Sequence, residues 1–283
     1  MKTANFALMA REAEHEADLK AAADIQQSLL PPHTTEHFED ISVSWRFLPR
    51  DQVGGDLLGY TWLDEDNLAA YVVDVCGHGL PAALVTAAVS ISLASSIISG
   101  GRRRSAARGV PFSPGEILEN LDREYPFERF NRPFTISCLV LNRKTGEFRC
   151  SRAGHPMPIV IRSSGELELI EAGGTIIGLD RLLPFEESVG RLNPGDSILL
   201  YSDGVTECVG APGAFGLEGL IGILHQCSGG SPESICDRIL NELLHFNKGV
   251  AMHDDLSMLA LTYYGDAQRV GANDHFASLP KPA

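Results

Sequence analysis

The sequence predicts an α+β domain in which mainly antiparallel sheets are covered by helices. Strand-like apolar runs are joined by short hairpin signals, as where Asn142-Arg143-Lys144-Thr145-Gly146 separates 134–141 from 147–152. Helical patterns follow one another in pairs, at 80–98 with 117–125 and at 217–227 with 232–246, which does not suit a parallel sheet of alternating strands and helices. The 283 residues hold no internal linker between two cores, so one domain over 38–265 is expected, with a helical extension at 1–32 and a polar, mobile tail at 266–283.

Residues 5–30 contain neither Gly nor Pro, and Phe6, Ala10, Ala13, Ala17, Ala21, Ile25 and Leu29 recur at threes and fours. This predicts a helix with a thin apolar stripe, ended by Pro31-Pro32. So weak a stripe needs a second surface, on the main domain or on another copy of itself. A dimerising or signal-transmitting helix and a passive arm are both open. Alternation in Ile41-Ser42-Val43-Ser44-Trp45-Arg46-Phe47 predicts a strand, and a strongly apolar strand follows at 68–75.

The segment 80–98 carries no charge and precedes Arg102-Arg103-Arg104, a superficial likeness to a membrane span with a basic flank. Thr86, Ser90, Ser92, Ser95 and Ser96 dilute it, and Pro81 suits a first helical turn, so a buried helix of a soluble domain is expected. A basic, Gly-flanked loop over 100–109 and a capping box at Ser113-Pro114-Gly115-Glu116 lead into helix 117–125. Further strands are expected at 157–162 and 166–171 around Ser163-Ser164-Gly165, at 197–201 after Asn193-Pro194-Gly195-Asp196, and at 256–264.

Lys and Arg total 23 against 37 Asp and Glu, a formal charge of −14 that would repel a phosphate backbone, so nucleic acid is not an expected partner. The six cysteines form no Cys-x-x-Cys pair and read as reduced core or loop thiols of a cytoplasmic protein. The N-terminal residues lack the apolar stretch of a secretion signal.

Three strand-end loops carry aspartate beside glycine: Val53-Gly54-Gly55-Asp56, Asp74-Val75-Cys76-Gly77-His78-Gly79 and Ser202-Asp203-Gly204. A fourth acidic segment, His253-Asp254-Asp255, precedes the last strand. Each alone is an ordinary turn; all four at strand ends can converge at one end of the sheets. Glycine beside aspartate lets backbone approach a hydrated cation. Carboxylates without a Cys or His cluster form a hard-oxygen set that suits Mg²⁺ or Mn²⁺ over Zn²⁺, and cations offset the repulsion among them. Two such ions would hold and acidify a water for in-line attack on phosphorus, so phosphate-ester hydrolysis is the expected chemistry. Metal chemistry alone leaves a nuclease or a small-molecule phosphatase open, the first disfavoured by the acidic charge.

The same loops belong to a longer ordered series. It begins with Ile25-Gln26-Gln27-Ser28-Leu29-Leu30-Pro31 and continues through the Asp56 and Asp74 motifs, Pro81-Ala82-Ala83-Leu84, Ala153-Gly154-His155-Pro156 and Gly178-Leu179. Tyr201-Ser202-Asp203-Gly204-Val205-Thr206-Glu207, Phe215-Gly216 and Asp254-Asp255-Leu256-Ser257 complete it. Over about residues 20–264 the chain resembles the metal-dependent PPM phosphatases, the 2C class of serine/threonine protein phosphatases, and specifically their bacterial SpoIIE/RsbU branch.

The resemblance implies a four-layer α/β/β/α sandwich with a two-metal centre at one edge. It implies Asp56 and Asp74 as residues serving both ions, assisted by the Val75 carbonyl, with Asp203 and Asp254 completing the second ion's shell and Asp255 as a further, neighbouring metal-site residue. His78 would donate a proton to the departing serine oxygen, or be a turn residue bonded to backbone. His155 fits a strand-linking role. Cys76 replaces the small hydroxyl residue usual in its motif and reads as a core thiol, with an oxidation-sensitive site as the alternative. Where the branch commonly has an acid three residues after the first aspartate, this chain has Gly59, which puts metal affinity or an auxiliary metal in doubt.

The implied activity is hydrolysis of phosphoserine or phosphothreonine in a signalling protein, typically an anti-sigma-factor antagonist. The helix ending at Pro31 resembles the linker through which upstream sensory modules act on such enzymes. Its input would come from a separate protein or from the remainder of a longer chain, and a homodimer is compatible with it. A catalytically weak, phosphatase-shaped interaction protein is the alternative, with Gly59 as its sequence support.

Overall fold

The computed structural model describes residues 2–106, 112–179, 184–211, 213–250 and 252–265. The tail expected at 266–283 lies outside them. In chain order the elements are α1 (Lys2–Ser28), β1 (Thr35–His37), β2 (Ile41–Leu48), β3 (Asp56–Trp62), β4 (Asn67–Val75), α2 (Leu80–Ala106), α3 (Pro114–Glu124) and α4 (Phe127–Phe130). Then come β5 (Phe134–Asn142), β6 (Glu147–Ala153), β7 (Ile159–Ile161), β8 (Leu167–Leu169), β9 (Ser188–Arg191), β10 (Ser197–Tyr201) and α5 (Asp203–Thr206). A small hairpin, β11 (Val209–Gly210) and β12 (Gly213–Ala214), precedes α6 (Gly216–Leu224), α7 (Pro232–Asn247) and β13 (Leu256–Tyr263).

The strands make two large sheets, ordered β1-β2-β13-β10-β7-β8 and β3-β4-β5-β6-β9, and every ladder in them is antiparallel. Each sheet is covered on both faces. Ile41, Val43, Ile198, Leu200, Leu259 and Leu261 of the first sheet meet Leu58, Leu68, Val72, Leu139 and Leu141 of the second in a shared core. The other face of the second sheet packs on α2 and α3 through Val85, Val89, Leu93, Leu118 and Leu121. The outer face of the first packs on α6 and α7 through Leu220, Leu224, Ile235, Ile239 and Leu243. Four layers with three apolar seams result, as the family resemblance implies.

Double coverage explains the sequence pattern. Along β4, Leu68, Ala70 and Val72 enter the inter-sheet core while Ala69, Val73 and Val75 enter the helix-facing one, so the strand reads as an unbroken apolar run. It also explains why β3 is not visible as a strand from sequence: Leu57 and Leu58 are both buried, and Gly59 interrupts any alternation.

The helix at α2 is amphipathic. Ala82, Val85, Val89 and Leu93 are buried at helical spacing while Leu84 and Ile91 are exposed, and no helix among the described residues is long and apolar enough to cross a membrane. The loop expected over 100–109 is corrected in part, because α2 runs through Gly100-Gly101 and the arginines to Ala106. Arg is a good helix former, and a helical Gly costs only about 1 kcal/mol relative to Ala. The Ser113 cap is present at α3, where its hydroxyl accepts from Glu116 N at 3.1 Å.

Between Ala13 and Ile25 the apolar stripe of α1 is not what docks that helix. Ala13, Ala17, Ala21 and Ile25 are exposed, whereas Leu29 and Leu30 just beyond α1 pack on the cores. Among the described residues of α1, only Gln26 is buried.

Truncating the shared core tests the layering. Leu261→Ala should destabilise the metal-free protein by about 2–5 kcal/mol, and Val189→Ala on the exposed edge strand by less than about 0.5 kcal/mol, in urea unfolding. Equal effects would contradict the seam between the sheets.

Candidate metal centre

The four acidic segments meet at one end of the stacked sheets. Asp56 opens β3, Asp74 stands one residue before the end of β4, and they are direct cross-strand partners. Asp56 shares a face of its strand with Leu58, and Asp74 shares one with Val72, both inter-sheet core residues, so the two aspartates lie on the inter-sheet side. From the other sheet, Asp203 follows β10 and opens α5, while Asp254 and Asp255 precede β13. Ser202 N donates to Ser257 O at 2.9 Å, which keeps these strand ends in step.

Asp255 joins the two halves. Its Oδ1 accepts from Arg50 N at 2.7 Å, and its Oδ2 accepts from Gly55 N at 2.6 Å and Asp56 N at 3.3 Å. Arg50 Nη1 braces the same loop by donating to His253 O at 3.0 Å. The glycine pair before Asp56 follows from this crowding. A Cβ on Gly54 would overlap the Asp255 carboxylate, and one on Gly55 would lie 2.5 Å from the Val75 carbonyl oxygen. The Thr86 hydroxyl of α2 donates to Gly55 O at 2.6 Å, holding the loop from behind.

Burial and mutual repulsion dominate the electrostatics. Asp56 is 2% exposed, and its Oδ2 has no hydrogen-bond partner. Burial, then Asp74, then Asp255 push its carboxyl well above the usual range. Burial, followed by Asp203 and Asp254, lifts Asp74 to about 7, and burial, followed by Asp254 and Glu207, lifts Asp203 to about 6. Asp254 Oδ1 accepts from Asp255 N at 2.8 Å. Among the described residues, no three His, Cys, Asp or Glu side chains already form a closed ion-holding group. An Mg²⁺-like ion needs no such cage, since it keeps several waters and takes one or two carboxylates. The unpartnered Asp56 oxygen and the strained acids beside it fit that requirement.

The remaining sequence-predicted residues divide clearly. His78 sits in the turn between β4 and α2, where Gly77 and Gly79 have φ of 97° and 72°. Its side chain is 68% exposed, with Nδ1 3.9 Å from Asp51 Oδ2. His155 is buried and bonds Thr135 Oγ1 at 2.7 Å, and burial lowers it to about 3, so it stays neutral. Cys76 is a correction to the core-thiol reading: the residue is exposed, and partial desolvation of its thiol, then Asp74 and Asp203, raise its pKa and disfavour the thiolate. Gly59 lies on the face of β3 opposite Asp56, and a Cβ there would sit 2.5 Å from the Tyr71 hydroxyl. Sequence reasoning passes over Arg50 and Thr86. Thr86 reads from sequence only as a polar residue diluting an apolar helix.

The architecture is that of a PP2C-type phosphatase domain. Residues 64–264 match the family model described as stage II sporulation protein E, SpoIIE. The phosphoserine phosphatase RsbU of Bacillus subtilis is 26% identical over 252 residues, 88% of this chain and 70% of RsbU. The SiaA-PP2C domain of Pseudomonas aeruginosa superposes with a TM-score of 0.75 at 20% identity, over 90% of this chain and 99% of that one. RsbX, solved in complex with magnesium, superposes at 0.55 with 17% identity, over 81% of this chain and 98% of RsbX. The chain belongs to the SpoIIE family.

The raised carboxyls set a pH dependence. Acids whose folded pKa is raised stabilise the fold fully below about pH 4 and lose that contribution as pH climbs through about 6 to 7. In a chelator, Asp74→Asn should therefore melt higher than wild type at pH 7.5 but not at pH 4. Mn²⁺ should raise the wild-type melting temperature at pH 7.5 and leave Asp74→Asn unmoved. An undiminished Mn²⁺ increment in Asp74→Asn would overturn the assignment of Asp74 to a cation site.

Proposed function

We propose that the protein is a metal-dependent serine/threonine phosphatase acting on phosphoserine or phosphothreonine in a signalling protein. The observation that carries this reading is the meeting of Asp56, Asp74, Asp203 and Asp254 from both sheets around a buried carboxylate oxygen that has no partner. The phosphoserine phosphatase named among its relatives and the magnesium complex of RsbX support it.

Asp56 and Asp74, with the Val75 carbonyl, are assigned to hold two Mn²⁺ or Mg²⁺ ions, and Asp203 and Asp254 to complete the second. When bound, such a pair supplies a nucleophilic water near neutral pH and Lewis-acid stabilisation of phosphoryl oxygens. Both oxygens of Asp255 already accept amide hydrogens, so its part is to hold the Asp56 loop against the Asp254 loop. The exposed His78 ring is the group assigned to return a proton to the departing serine or threonine oxygen. An anti-sigma-factor antagonist is the substrate class this reading favours. The α1 helix is the route for an upstream module or protein, and a second copy is an equally admissible partner for its exposed stripe. The excess of acids disfavours nucleic acid and anionic membrane surfaces, and six free cysteines accord with a cytoplasmic location.

The test is hydrolysis of an aryl phosphate and of phosphorylated anti-sigma antagonists from the same cell. Activity should require Mn²⁺ or Mg²⁺, vanish in chelator, and fall more than about 100-fold in Asp74→Ala, beyond the usual effect of an outer-shell change. Full activity in chelator would sink the mechanism. Tight binding of the phosphorylated partner without turnover would favour an interaction protein.

A further inference from the structure

We propose that Gln26 is a positioning residue for this centre: its side-chain amide clamps the Gly54 peptide and so fixes the loop that delivers Asp56. The inference rests on the phosphatase reading for its consequence, and on hydrogen-bond geometry for its substance. Gln26 Nε2 donates to Gly54 O at 2.8 Å, and Gly54 N donates to Gln26 Oε1 at 3.0 Å. A carboxamide offers one acceptor and a donor in the spacing of a peptide group, so it pairs with Gly54 as a neighbouring strand would. Both bonds are buried, and Gln26 is 5% exposed.

The location gives the pair its meaning. Gly54 and Gly55 are gripped by three separate elements: Gln26 at the end of α1, Thr86 on α2 and Asp255 before β13. The next residue is Asp56. Removing the amide strands a buried N–H and C=O on Gly54, which must then move to find water or other partners. The loop would shift relative to Asp255 and Thr86, and Asp56 with it. Leu29 and Leu30, packed on the cores just beyond, fix where Gln26 stands. Gln26 is the one buried residue among the described side chains of α1, a polar one where Leu19, Ala22 and Ala23 are only half-buried, and packing alone does not explain it. The pairing accounts for it.

Gln26→Met keeps length and volume but removes donor and acceptor; Gln27→Met, at an exposed neighbour, is the control. Mn²⁺ binding to the full chain is measured by calorimetry, and amide hydrogen exchange is measured on the metal-free protein. Gln26→Met should weaken Mn²⁺ binding by about 10–100-fold, the range for groups that orient metal ligands. It should also speed exchange at residues 54–56 while β10 and β13 exchange at the wild-type rate. Gln27→Met should do neither. Unchanged Mn²⁺ binding and exchange in Gln26→Met would overturn the proposal, as would exchange accelerated uniformly across both sheets. A wild-type protein that hydrolyses no phosphoprotein, yet shows the local effects of Gln26→Met, would remove the phosphatase reading and leave the positioning role standing. Phosphatase activity indifferent to Gln26→Met would do the reverse.

Discussion

The Asp255 carboxylate is the joint on which the site depends. The acids it brings together come from two sheets, and their mutual repulsion opposes the arrangement. Three amide hydrogens from Arg50, Gly55 and Asp56 converge on that one carboxylate. Hydrogen bonds to a charged group contribute about 1.5–3 kcal/mol each, enough together to resist several kcal/mol of like-charge repulsion. The same bonds dictate the neighbouring sequence, since Gly54 leaves no room for a side chain against Asp255. The glycines beside the aspartates are thus spatial necessities of the joint before they are anything to do with a cation.

The layering decides where such a joint can be. Both sheets are sealed on both faces by apolar seams, so a charged group within a strand would face one of them. The acids of the site accordingly stand at strand ends, where the chain leaves the sheets, while a charge inside a strand, such as Arg46, is paired, here with Asp237. Antiparallel order brings the start of β3, the end of β4, the end of β10 and the start of β13 to the same end. The cross-strand pairing of Asp56 with Asp74 is destabilising in itself, as like charges opposite one another are. A divalent ion bound there, as proposed, would reverse that sign and relieve the pair.

Much of this was legible in the sequence. The hairpin of β5 and β6 was marked by its turn, α3 by its capping box, and the four acidic segments by their places at strand ends. What stayed hidden has physical causes. β3 lacks alternation because both of its faces are buried, and the turn from α2 reads as a basic loop because Gly100-Gly101 outweighs the helix-forming arginines after it. Gly59 reads as a missing acid, yet it faces Tyr71 on the other side of β3, away from Asp56. Thr86 and Arg50 act through a hydroxyl and a backbone amide on residues distant in sequence, and no local pattern encodes such contacts.

The N-terminal helix shows where periodicity and function part company. Its alanine stripe is the feature a helical wheel selects, and from Ala13 to Ile25 that stripe faces outward. Only Leu19, Ala22 and Ala23 among its described apolar residues are half-buried, while two directional hydrogen bonds between Gln26 and Gly54 tie its end to the Asp56 loop. An element held weakly by area and specifically by geometry is displaced at small cost, and its displacement is felt at one place. The exposed residues from Ala13 to Ile25 and the polar clamp at Gln26 are thus separate features of one helix: the first plays no part in the fold, and the second ties the helix end to the loop before Asp56.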